Sequence, residues 1–320
     1  MLDPKQLVVL GAGDVGLTTA VRIQEREGKG ITSGAHHVSL AGSDVRQQKM
    51  DQETFKTVWE LSAPGGSAEG CFLCMHEDEY FPGPIANPEV LQVMPDFKAI
   101  PSSSLPPDCA EEISFSTVTI DCPVYLNYLL SRFLATRGSI IRGTVQHIAQ
   151  VVEGGAGIFN GRKCLASPSA VVVCVGLGAR NLGGGQTVLL RAPWVKSGRA
   201  ISSKSGSWTY IIPRRSGDTT LDILKRGLAF CLELTPPEIR TQREPVLEDL
   251  QSVIIEEGCG LRPARKSGIR LEVEWADNSQ DQKKVPVIFN YGHGAYGYIS
   301  SWGSATIALE LLETALTESN

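Results

Sequence analysis

The sequence lacks the features that would assign it to a membrane, to nucleic acid or to the secretory pathway. No apolar run approaches the roughly 18 residues of a membrane-spanning helix. The net charge is −5 at pH 7 over 320 residues, which argues against nucleic acid or an anionic membrane as the main partner. The start, MLDPKQ, has no basic stretch followed by a long apolar stretch, so we expect no secretory leader. The final residues, LTESN, match neither a peroxisomal tripeptide nor a lipidation signal.

A second closely spaced cysteine pair is also missing, which weakens any metal or haem interpretation. Eight cysteines are present, and without a secretory leader they are best interpreted as reduced thiols. Cys71 and Cys74 form the only C-x-x-C spacing, so the second pair that a zinc site needs is absent. Met75 separates this pair from His76, which departs from the C-x-x-C-H haem motif. We therefore expect two thiols in a loop and no bound metal.

The composition that is present is typical of a soluble globular protein. Hydrophobic residues make up 42% and charged residues 20%, and the length suggests one large domain or two modest ones. Apolar runs and periodicities predict alternating strands and helices. The predicted strands cover 7–10, 113–121, 139–145, 170–176, 185–195, 207–214, 267–277 and 285–291. The predicted helices cover 17–30, 44–61, 122–139 and 219–234, with a final helix up to 316. Residues 63–108 are predicted to be dominated by loops, with room for a short strand or two.

Gly11, Gly13 and Gly16 form a G-x-G-x-x-G motif between an apolar strand and a helix. The first glycine allows the tight turn, the second lets the backbone approach a pyrophosphate, and the third lets strand and helix pack closely. The helix N-terminus then faces the phosphates. We therefore predict a dinucleotide-binding turn rather than a plain packing turn. Asp14 is unfavourable in a phosphate loop unless its carboxylate points to solvent.

The acidic residue that would contact the ribose is open to two interpretations. Such a residue is expected about 20 positions after the glycine motif, and Asp44 would supply it if HHVSLAGSD were the second strand. The alternative is that Asp44 caps a helix, because Gln47 follows at capping-box spacing. We favour the capping role.

A second glycine-rich turn lies near the end of the chain, in NYGHGAYGYISSWGSA (290–305). A buried strand leads into it and a helix follows, so backbone amides and a helix N-terminus would face a flat ligand. In a flavoenzyme this arrangement suits the pyrimidine edge of the flavin, where negative charge accumulates on hydride transfer. A plain strand-to-helix turn would not need three glycines so close to aromatic residues.

Arg262 lies between Leu261 and Pro263, in a turn before a strand. A guanidinium held in a stiff turn is suited to two-point binding of a carboxylate. On composition alone a surface arginine is the commoner outcome, so both interpretations stay open at this point.

Together and in this order, these segments resemble the D-amino-acid oxidase family, including its D-aspartate oxidase branch, and its fungal members most closely. The resemblance extends over nearly the whole chain. The matching segments are VVLGAGDVGLTTA (8–20), VCVGLGAR (173–180), GQTVLL (185–190), YIIPR (210–214), GLRPAR (260–265) and NYGHGAYGYISSWGSA (290–305).

The resemblance implies an α/β fold in which a Rossmann-like FAD-binding domain is interleaved with a mixed, largely antiparallel substrate-binding domain. Residues 1–42, 138–182 and 285–320 would form the FAD-binding domain. Residues 43–137 and 183–284 would form the substrate-binding domain. The resemblance also implies a peroxisomal location, or a cytoplasmic one because the C-terminal signal is missing, and it allows a homodimer.

The chemistry implied is the FAD-dependent oxidative deamination of D-amino acids to 2-oxo acids, ammonia and hydrogen peroxide. Arg262 would bind the substrate α-carboxylate with help from the Tyr210 hydroxyl, and the backbone carbonyl of Ala295 would accept a hydrogen bond from the amine. The protein would supply orientation and electrostatics rather than a strong acid or base. The residues expected to contact FAD are Gly11, Ala12, Gly13, Asp14, Val15, Gly16, Thr32, Ser33, Gly34, Ala35, Val145, Gly176, Arg262, Gly292, His293, Gly294, Ala295, Tyr296, Gly297, Tyr298 and Ile299.

His36 and His37 would lie in the loop at the flavin edge. By resemblance His36 would face the substrate side chain, where a cation favours D-aspartate or D-glutamate. The plainer interpretation is a loop histidine near the cofactor. The substrate class therefore stays open between D-amino acids in general and acidic ones.

Compared with the family, several internal segments are missing. The second strand, with its ribose-contacting end, is absent after residue 30, and further residues are lost after 33. The stretch before 185 is short, and a strand with a second substrate-facing tyrosine is absent after Arg214. An inactive paralogue or a wrongly spliced gene model would both explain the losses. A nicotinamide-dependent dehydrogenase is disfavoured because the YGHGAYG turn would have no role in it.

Overall fold

A computed structural model of the chain divides into two compact units. The residues it describes are 6–25, 37–39, 41–85, 88–100, 105–106, 108–161, 167–176, 182–204, 207–221, 224–279 and 282–318. The first unit consists of Met1–Ser33, Leu126–Gly183 and Arg262–Asn320, and the second of Gly34–Tyr125 and Gly184–Leu261. The segments of the two units alternate along the chain. This division assigns 126–137 and 262–284 to the first unit, whereas the sequence analysis assigns them to the substrate-binding domain.

The described residues form strands and helices in alternation. The strands are β1 (Leu7–Leu10), β2 (Phe72–Phe81), β3 (Lys98–Ile100), β4 (Glu111–Ile120), β5 (Ala170–Val173), β6 (Leu182–Arg191), β7 (Gly198–Ser202), β8 (Trp208–Pro213), β9 (Asp218–Leu221), β10 (Ile254–Pro263), β11 (Arg270–Asp277) and β12 (Lys284–Tyr291). The α-helices are α1 (Asp14–Glu25), α2 (Val45–Leu61), α3 (Cys122–Ala135), α4 (Ile148–Gly154), α5 (Leu224–Phe230), α6 (Pro237–Arg240) and α7 (Gly297–Glu318).

The first unit is built on a four-stranded sheet in the order β1-β5-β12-β11. β1, β5 and β12 run parallel, and β11 pairs antiparallel with β12. β5 is buried along its whole length, as its continuous valines predict for a parallel strand covered on both faces. Helices α1 and α7 pack against each other, and Arg22 on α1 donates from Nε to Thr306 Oγ1 on α7 at 3.0 Å.

The prediction of a buried strand at 139–145 is wrong. This segment forms no strand, and its Ile140 side chain is 51% exposed. In a doubly wound sheet the second strand lies beside the first, and the third lies beyond the second. Among the described residues β1 pairs with β5 alone. Segment 139–145 would be the third strand of such a sheet. No second strand is described for it to pair with.

The second unit is built on an eight-stranded sheet in the order β10-β6-β9-β8-β7-β2-β4-β3. β2 and β7 are parallel, whereas β2–β4, β3–β4, β6–β9, β7–β8 and β8–β9 are antiparallel. The sheet of the first unit has three parallel strands, and the sheet of the second unit is largely antiparallel. This combination confirms the predicted α/β fold class. An apolar cluster of Val188, Leu190, Ile211 and Leu221 packs with Leu228 of α5.

The region 63–108 contains one strand that is longer than the short strand or two that the sequence predicts among its loops. The ten-residue strand β2 lies between β4 and β7, and Cys74 lies within it rather than in a loop. Two of its buried positions are occupied by Glu77 and Glu79, which are 0% and 2% exposed. Charged residues at buried positions conceal the apolar alternation of a strand. Burial, reinforced by the neighbouring Glu77 carboxylate, raises the pKa of Glu79 well above its ordinary value.

The helix predicted over 219–234 is also partly wrong. Its first residues form β9, which pairs with β6 and β8, and α5 begins only at Leu224. Thr219 and Leu221 point into the interior and are fully buried. A β-branched residue packs well on a pleated sheet surface, and cross-strand partners override a helical periodicity here.

The capping interpretation of Asp44 is confirmed. α2 begins at Val45, and Asp44 Oδ1 accepts a hydrogen bond from the Gln47 backbone N–H at 3.0 Å. The helix buries Met50 and Phe55, which lie on its predicted apolar face. Asp44 therefore satisfies one of the unpaired amides at the helix N-terminus.

We expect Asp44→Ala to lower the free energy of unfolding by about 1 kcal/mol, because one helix N–H loses its acceptor. Asp44→Ser retains a capping oxygen and is expected to stay close to wild type. Urea denaturation followed by circular dichroism measures both. Equal stabilities of the Ala and Ser variants would contradict the capping role.

Candidate active site

Two close contacts that only glycine permits shape the first glycine loop, one with the residue after β5 and one within the loop itself. Gly11 has φ of +111°, and a Cβ built there would lie 2.2 Å from the Cys174 carbonyl oxygen. A Cβ on Gly16 would lie 2.1 Å from the Gly11 carbonyl oxygen. These two glycines therefore close the strand–turn–helix unit, as predicted for the first and third positions of the motif.

Gly13 has a different environment from the other two glycines. A Cβ built on it would meet no atom within 4 Å, and Gly11, Ala12 and Gly13 are all exposed. α1 starts at the next residue, and Leu17 N–H donates to the Gly13 carbonyl at 2.9 Å. The loop therefore presents bare backbone and a helix N-terminus to the outside, which suits a pyrophosphate.

Asp14, the first residue of α1, points into the protein and not to solvent. Its side chain is 9% exposed, and Thr18 Oγ1 donates to its Oδ1 at 3.5 Å. Burial raises the pKa of Asp14 to about 8, and contacts with Ser301 and Thr18 oppose that rise only in part. At neutral pH the side chain is therefore mostly a neutral acid, which removes the expected conflict with a phosphate. Val15 beside it is half-buried.

The second glycine turn follows β12 in the same unit. Gly292 and Gly294 have φ of +91° and +61°, a short 3-10 turn spans Gly294–Tyr296, and α7 begins at Gly297. Ala295 is exposed, and a Cβ on Gly297 would meet no atom within 4 Å. Half-buried side chains flank this second open helix N-terminus, namely Tyr296, Tyr298 and Ile299.

His293 supports this turn from within. Burial lowers the pKa of His293 to about 4, so the imidazole is neutral at physiological pH. Its Nε2 lies 3.1 Å from Ser304 Oγ on α7. A buried neutral ring therefore fixes the turn without adding charge to it.

The structure places the two glycine turns side by side. α1 and α7 pack against each other, and Ser301 in the early part of α7 lies close enough to Asp14 of the first turn to lower the pKa of its carboxyl group. At the carboxyl end of β5, Gly176 has φ of +47°, and it lies at the same sheet edge as Gly11 because β1 and β5 run parallel. Nothing local in either glycine motif signals that the two turns are neighbours, so their proximity is not predictable from the motifs alone.

Arg262 is exposed at the penultimate position of β10. Its carbonyl accepts a hydrogen bond from Ala264 N–H at 2.9 Å, and Ala264 forms a single antiparallel bridge with His293. The side chain of Arg265 lies under the Gly292 backbone, where a Cβ would meet its Cδ at 2.8 Å. The GLRPAR segment is therefore joined to the second glycine turn, and the guanidinium of Arg262 is accessible to a carboxylate.

The remaining predicted site residues are less informative. Tyr210 lies on β8 in the second unit, half-buried and opposite Ala200 of β7. Val145 is 37% exposed in the segment after α3. His37 is 1% exposed, and its Nε2 lies 2.6 Å from the Asp51 carbonyl, so it is a core histidine. The residues outside the described part of the chain are Thr32, Ser33, Gly34, Ala35 and His36.

A metal site and a membrane-spanning helix are both absent from the described residues. No group of three or more His, Cys, Asp or Glu side chains among them could hold a metal ion. No described helix is long and apolar enough to cross a membrane. The six cysteines whose side chains are described are free thiols.

The chain is similar in sequence to FAD-dependent oxidases. The family described as FAD dependent oxidoreductase matches residues 86–311. A D-aspartate oxidase of Cryptococcus neoformans var. grubii is 31% identical, with 96% of each chain covered. A D-amino-acid oxidase of Schizosaccharomyces pombe is 28% identical, with 94% of each covered. A D-aspartate oxidase of Homo sapiens is 28% identical, with 97% of this chain and 95% of the human one covered.

The alignment with the Cryptococcus oxidase also measures what this chain lacks. It extends over 384 positions, whereas the chain has 320 residues, so at least 64 positions of the relative have no counterpart here. This agrees with the missing internal segments.

Solved structures of low sequence identity share the fold. Glycine oxidase from Geobacillus kaustophilus superposes with a TM-score of 0.61 at 15% identity, covering 97% of this chain and 95% of that one. L-proline dehydrogenase from P. horikoshii superposes with a TM-score of 0.63 at 12% identity, covering 98% and 95%. At these identities the likeness concerns the fold alone.

The three motif glycines are expected to respond differently to alanine. Gly11→Ala and Gly16→Ala should each lower the free energy of unfolding by about 1–3 kcal/mol or more, because the new methyl group overlaps a backbone carbonyl. Gly13→Ala should stay within about 0.5 kcal/mol of wild type but weaken FAD binding, because its methyl group would fill the open space. Urea denaturation without FAD and fluorescence titration with FAD separate the two effects. Strong destabilisation by Gly13→Ala would contradict this division.

Proposed function

Since this chain belongs to the family of FAD-dependent oxidoreductases, we propose that it oxidises D-amino acids to 2-oxo acids, with dioxygen as the final acceptor. The observation that carries the proposal is the proximity of the two glycine turns in the first unit. With Ser301 close to Asp14, the N-termini of α1 and α7 lie near each other. Two adjacent helix N-termini suit a ligand with a pyrophosphate at one end and an electron-accepting ring at the other.

The residues present fit FAD. The open space at Gly13 leaves room for a phosphate against bare backbone. The open space at Gly297 leaves room for a ring edge at the start of α7. The Asp14 carboxyl group and the His293 imidazole at these turns are both mostly neutral near pH 7. The electrostatic field of each helix N-terminus is therefore not cancelled by a local anion.

The remaining site residues have binding and orienting roles in this proposal. The Arg262 guanidinium binds the substrate α-carboxylate in a bidentate pair, and the Tyr210 hydroxyl donates to the same carboxylate. The Ala295 carbonyl accepts a hydrogen bond from the substrate amine and fixes the direction of the α-C–H bond. Bound FAD would supply the two-electron acceptor for the α-hydrogen and its electron pair, with dioxygen as the final oxidant, so that substrate, dioxygen and water would give a 2-oxo acid, ammonia and hydrogen peroxide.

A preference for D-aspartate is the second candidate. It is favoured by the D-aspartate oxidases among the relatives, from Cryptococcus neoformans var. grubii, Talaromyces thermophilus and Homo sapiens. An acidic side chain would need a cation in the pocket, a role assigned by resemblance to His36. Comparing D-alanine with D-aspartate as substrates decides between the two candidates.

We expect the purified protein to be yellow and its flavin absorbance to bleach when a D-amino acid is added without oxygen. Faster bleaching with D-aspartate than with D-alanine would support the acidic preference. L-amino acids serve as the matched control and should leave the absorbance unchanged. A colourless, folded protein that takes up no added FAD would contradict the proposal and favour an inactive paralogue.

Arg262→Leu is expected to slow bleaching at a given substrate concentration at least about 100-fold while leaving bound flavin in place. Two charge-assisted hydrogen bonds to the substrate are lost, each contributing about 1.5–3 kcal/mol. Arg142→Leu removes another exposed arginine of the first unit and should bleach like wild type. Wild-type bleaching by Arg262→Leu would show that another group binds the carboxylate.

A further inference from the structure

Arg265 lies at the junction between the GLRPAR segment and the second glycine turn. Its side chain packs against the backbone of Gly292, where an added Cβ would lie 2.8 Å from Cδ of Arg265. Its guanidinium lies over the ring of Tyr291, with Cζ 5.6 Å from the ring centroid, and Nη1 donates to the Gly268 carbonyl at 3.5 Å. The contact with the ring is a cation–π interaction, which requires the guanidinium and not only the apolar stem.

The Tyr291 ring is also held from a second side. Arg270 is paired with Tyr291 in the β11–β12 ladder, and its Nη1 donates to the Tyr291 hydroxyl at 3.4 Å. The Arg270 guanidinium covers the Phe289 ring at 3.6 Å from the centroid, and the Phe289 and Tyr291 rings meet edge to face at 6.0 Å. The carboxylates of Glu272 and Glu274 bind the same guanidinium. The ring against which Arg265 packs is therefore itself fixed in place.

The two groups assigned to the substrate backbone lie close to a single bridge. Ala264 pairs with His293 in an isolated antiparallel bridge. Arg262 stands two residues before Ala264, and Ala295 stands two residues after His293. Because antiparallel segments run in opposite directions, Arg262 and Ala295 lie on the same side of the bridge. The bridge therefore determines the spacing between the residue assigned to the α-carboxylate and the residue assigned to the amine.

One bridge alone is a weak link between two segments, because it lacks the repeated hydrogen bonds of a ladder. Arg265 reinforces it from the side that faces away from the substrate-binding residues. It directly follows Ala264, and it contacts Tyr291 and Gly292, the two residues just before His293. The spacing of the two substrate-binding residues therefore depends on this second contact as well as on the bridge.

We propose that Arg265 is a positioning residue of the oxidase, and that its contact with Tyr291 fixes the spacing between the Arg262 guanidinium and the Ala295 carbonyl. The inference rests on the proposed function, because it concerns the two groups assigned to the substrate backbone. The α-carboxylate and the amine are attached to one carbon atom, so both are bound at once only at one spacing. Two-point binding sets the direction of the α-C–H bond, and a displacement of about 1 Å in such a geometry can cost about 100-fold in rate.

Removing the Arg265 guanidinium should slow hydride transfer and leave carboxylate binding intact. Arg265→Met keeps an apolar stem beneath Gly292 but loses the cation over the Tyr291 ring. At saturating D-amino acid, its rate constant for anaerobic flavin bleaching should fall about tenfold or more. Arg265→Lys retains a cation and should stay within about threefold of wild type. Propionate has the carboxylate without the amine, so its dissociation constant, measured by competition with the D-amino acid, should stay within about twofold of wild type in both variants.

Two further variants serve as a second test and a control. Tyr291→Leu removes the ring and should slow bleaching as much as Arg265→Met does, and it carries the test if Arg265→Met fails to fold. Lys266→Met removes the exposed cation next to Arg265 on the same turn and should bleach like wild type.

The contact itself is tested in the apoprotein, without any turnover. Urea denaturation of Arg265→Met, Tyr291→Leu and the double variant measures whether the two side chains support each other. Either single change breaks the same contact, so the double variant should lose less stability than the sum of the two single losses. Additive losses would refute the interaction between Arg265 and Tyr291.

The kinetic outcomes distinguish this inference from the proposed function. Wild-type bleaching by Arg265→Met would overturn the positioning role while leaving the oxidase function intact. A loss of propionate affinity as large as the loss of rate would overturn it too, because it would indicate general damage to the site. Absence of bleaching in wild type with every D-amino acid would overturn the proposed function, and the positioning role with it.

Discussion

The close approach of the Gly11 backbone to the Cys174 carbonyl is the contact on which the first unit depends. It closes the turn between β1 and α1, and it brings the carboxyl ends of β1 and β5 to one edge of the sheet. Once that edge is formed, α1 has a fixed start, and α7 packs along it through Arg22, Thr306 and Trp302. A methyl group on Gly11 would prevent this backbone contact. The arrangement of the two helix N-termini that would hold a dinucleotide therefore depends on it.

The sheet of the first unit ends at β1, where no second strand is described. β1 has only four residues, and among the described residues it pairs on one edge alone. Segment 139–145 retains the apolar composition of a strand but forms none, and Ile140 and Val145 are exposed. A sheet gains most of its stability from cross-strand packing, and both β1 on its outer edge and segment 139–145 lack a partner strand among the described residues. The two glycine turns are therefore well formed in a sheet whose β1 edge has no described partner.

The features that were predicted correctly from the sequence are those that local interactions determine. The glycine spacing, the capping of α2 by Asp44 and the valine-rich β5 each depend on neighbours within a few residues or on simple burial. Predictions failed where a distant partner decides the outcome. Segment 139–145 needs a partner strand, β9 gains two partners that outweigh its helical pattern, and β2 carries glutamates at interior positions. Asp14 lies close to Ser301, near the other end of the chain, and no motif in the sequence indicates that proximity.

The two glutamates on β2 have a consequence for the folding reaction itself. Glu77 and Glu79 stand two residues apart on one strand, so their side chains lie on the same face of the sheet. Both are solvated in the unfolded chain, and Glu79 binds protons more tightly once it is buried beside its neighbour. Folding of the second unit is therefore linked to the uptake of protons at pH values above the ordinary pKa of a glutamate, and the solution takes part in it as a reactant. The folding equilibrium of this unit therefore depends on the concentration of hydrogen ions.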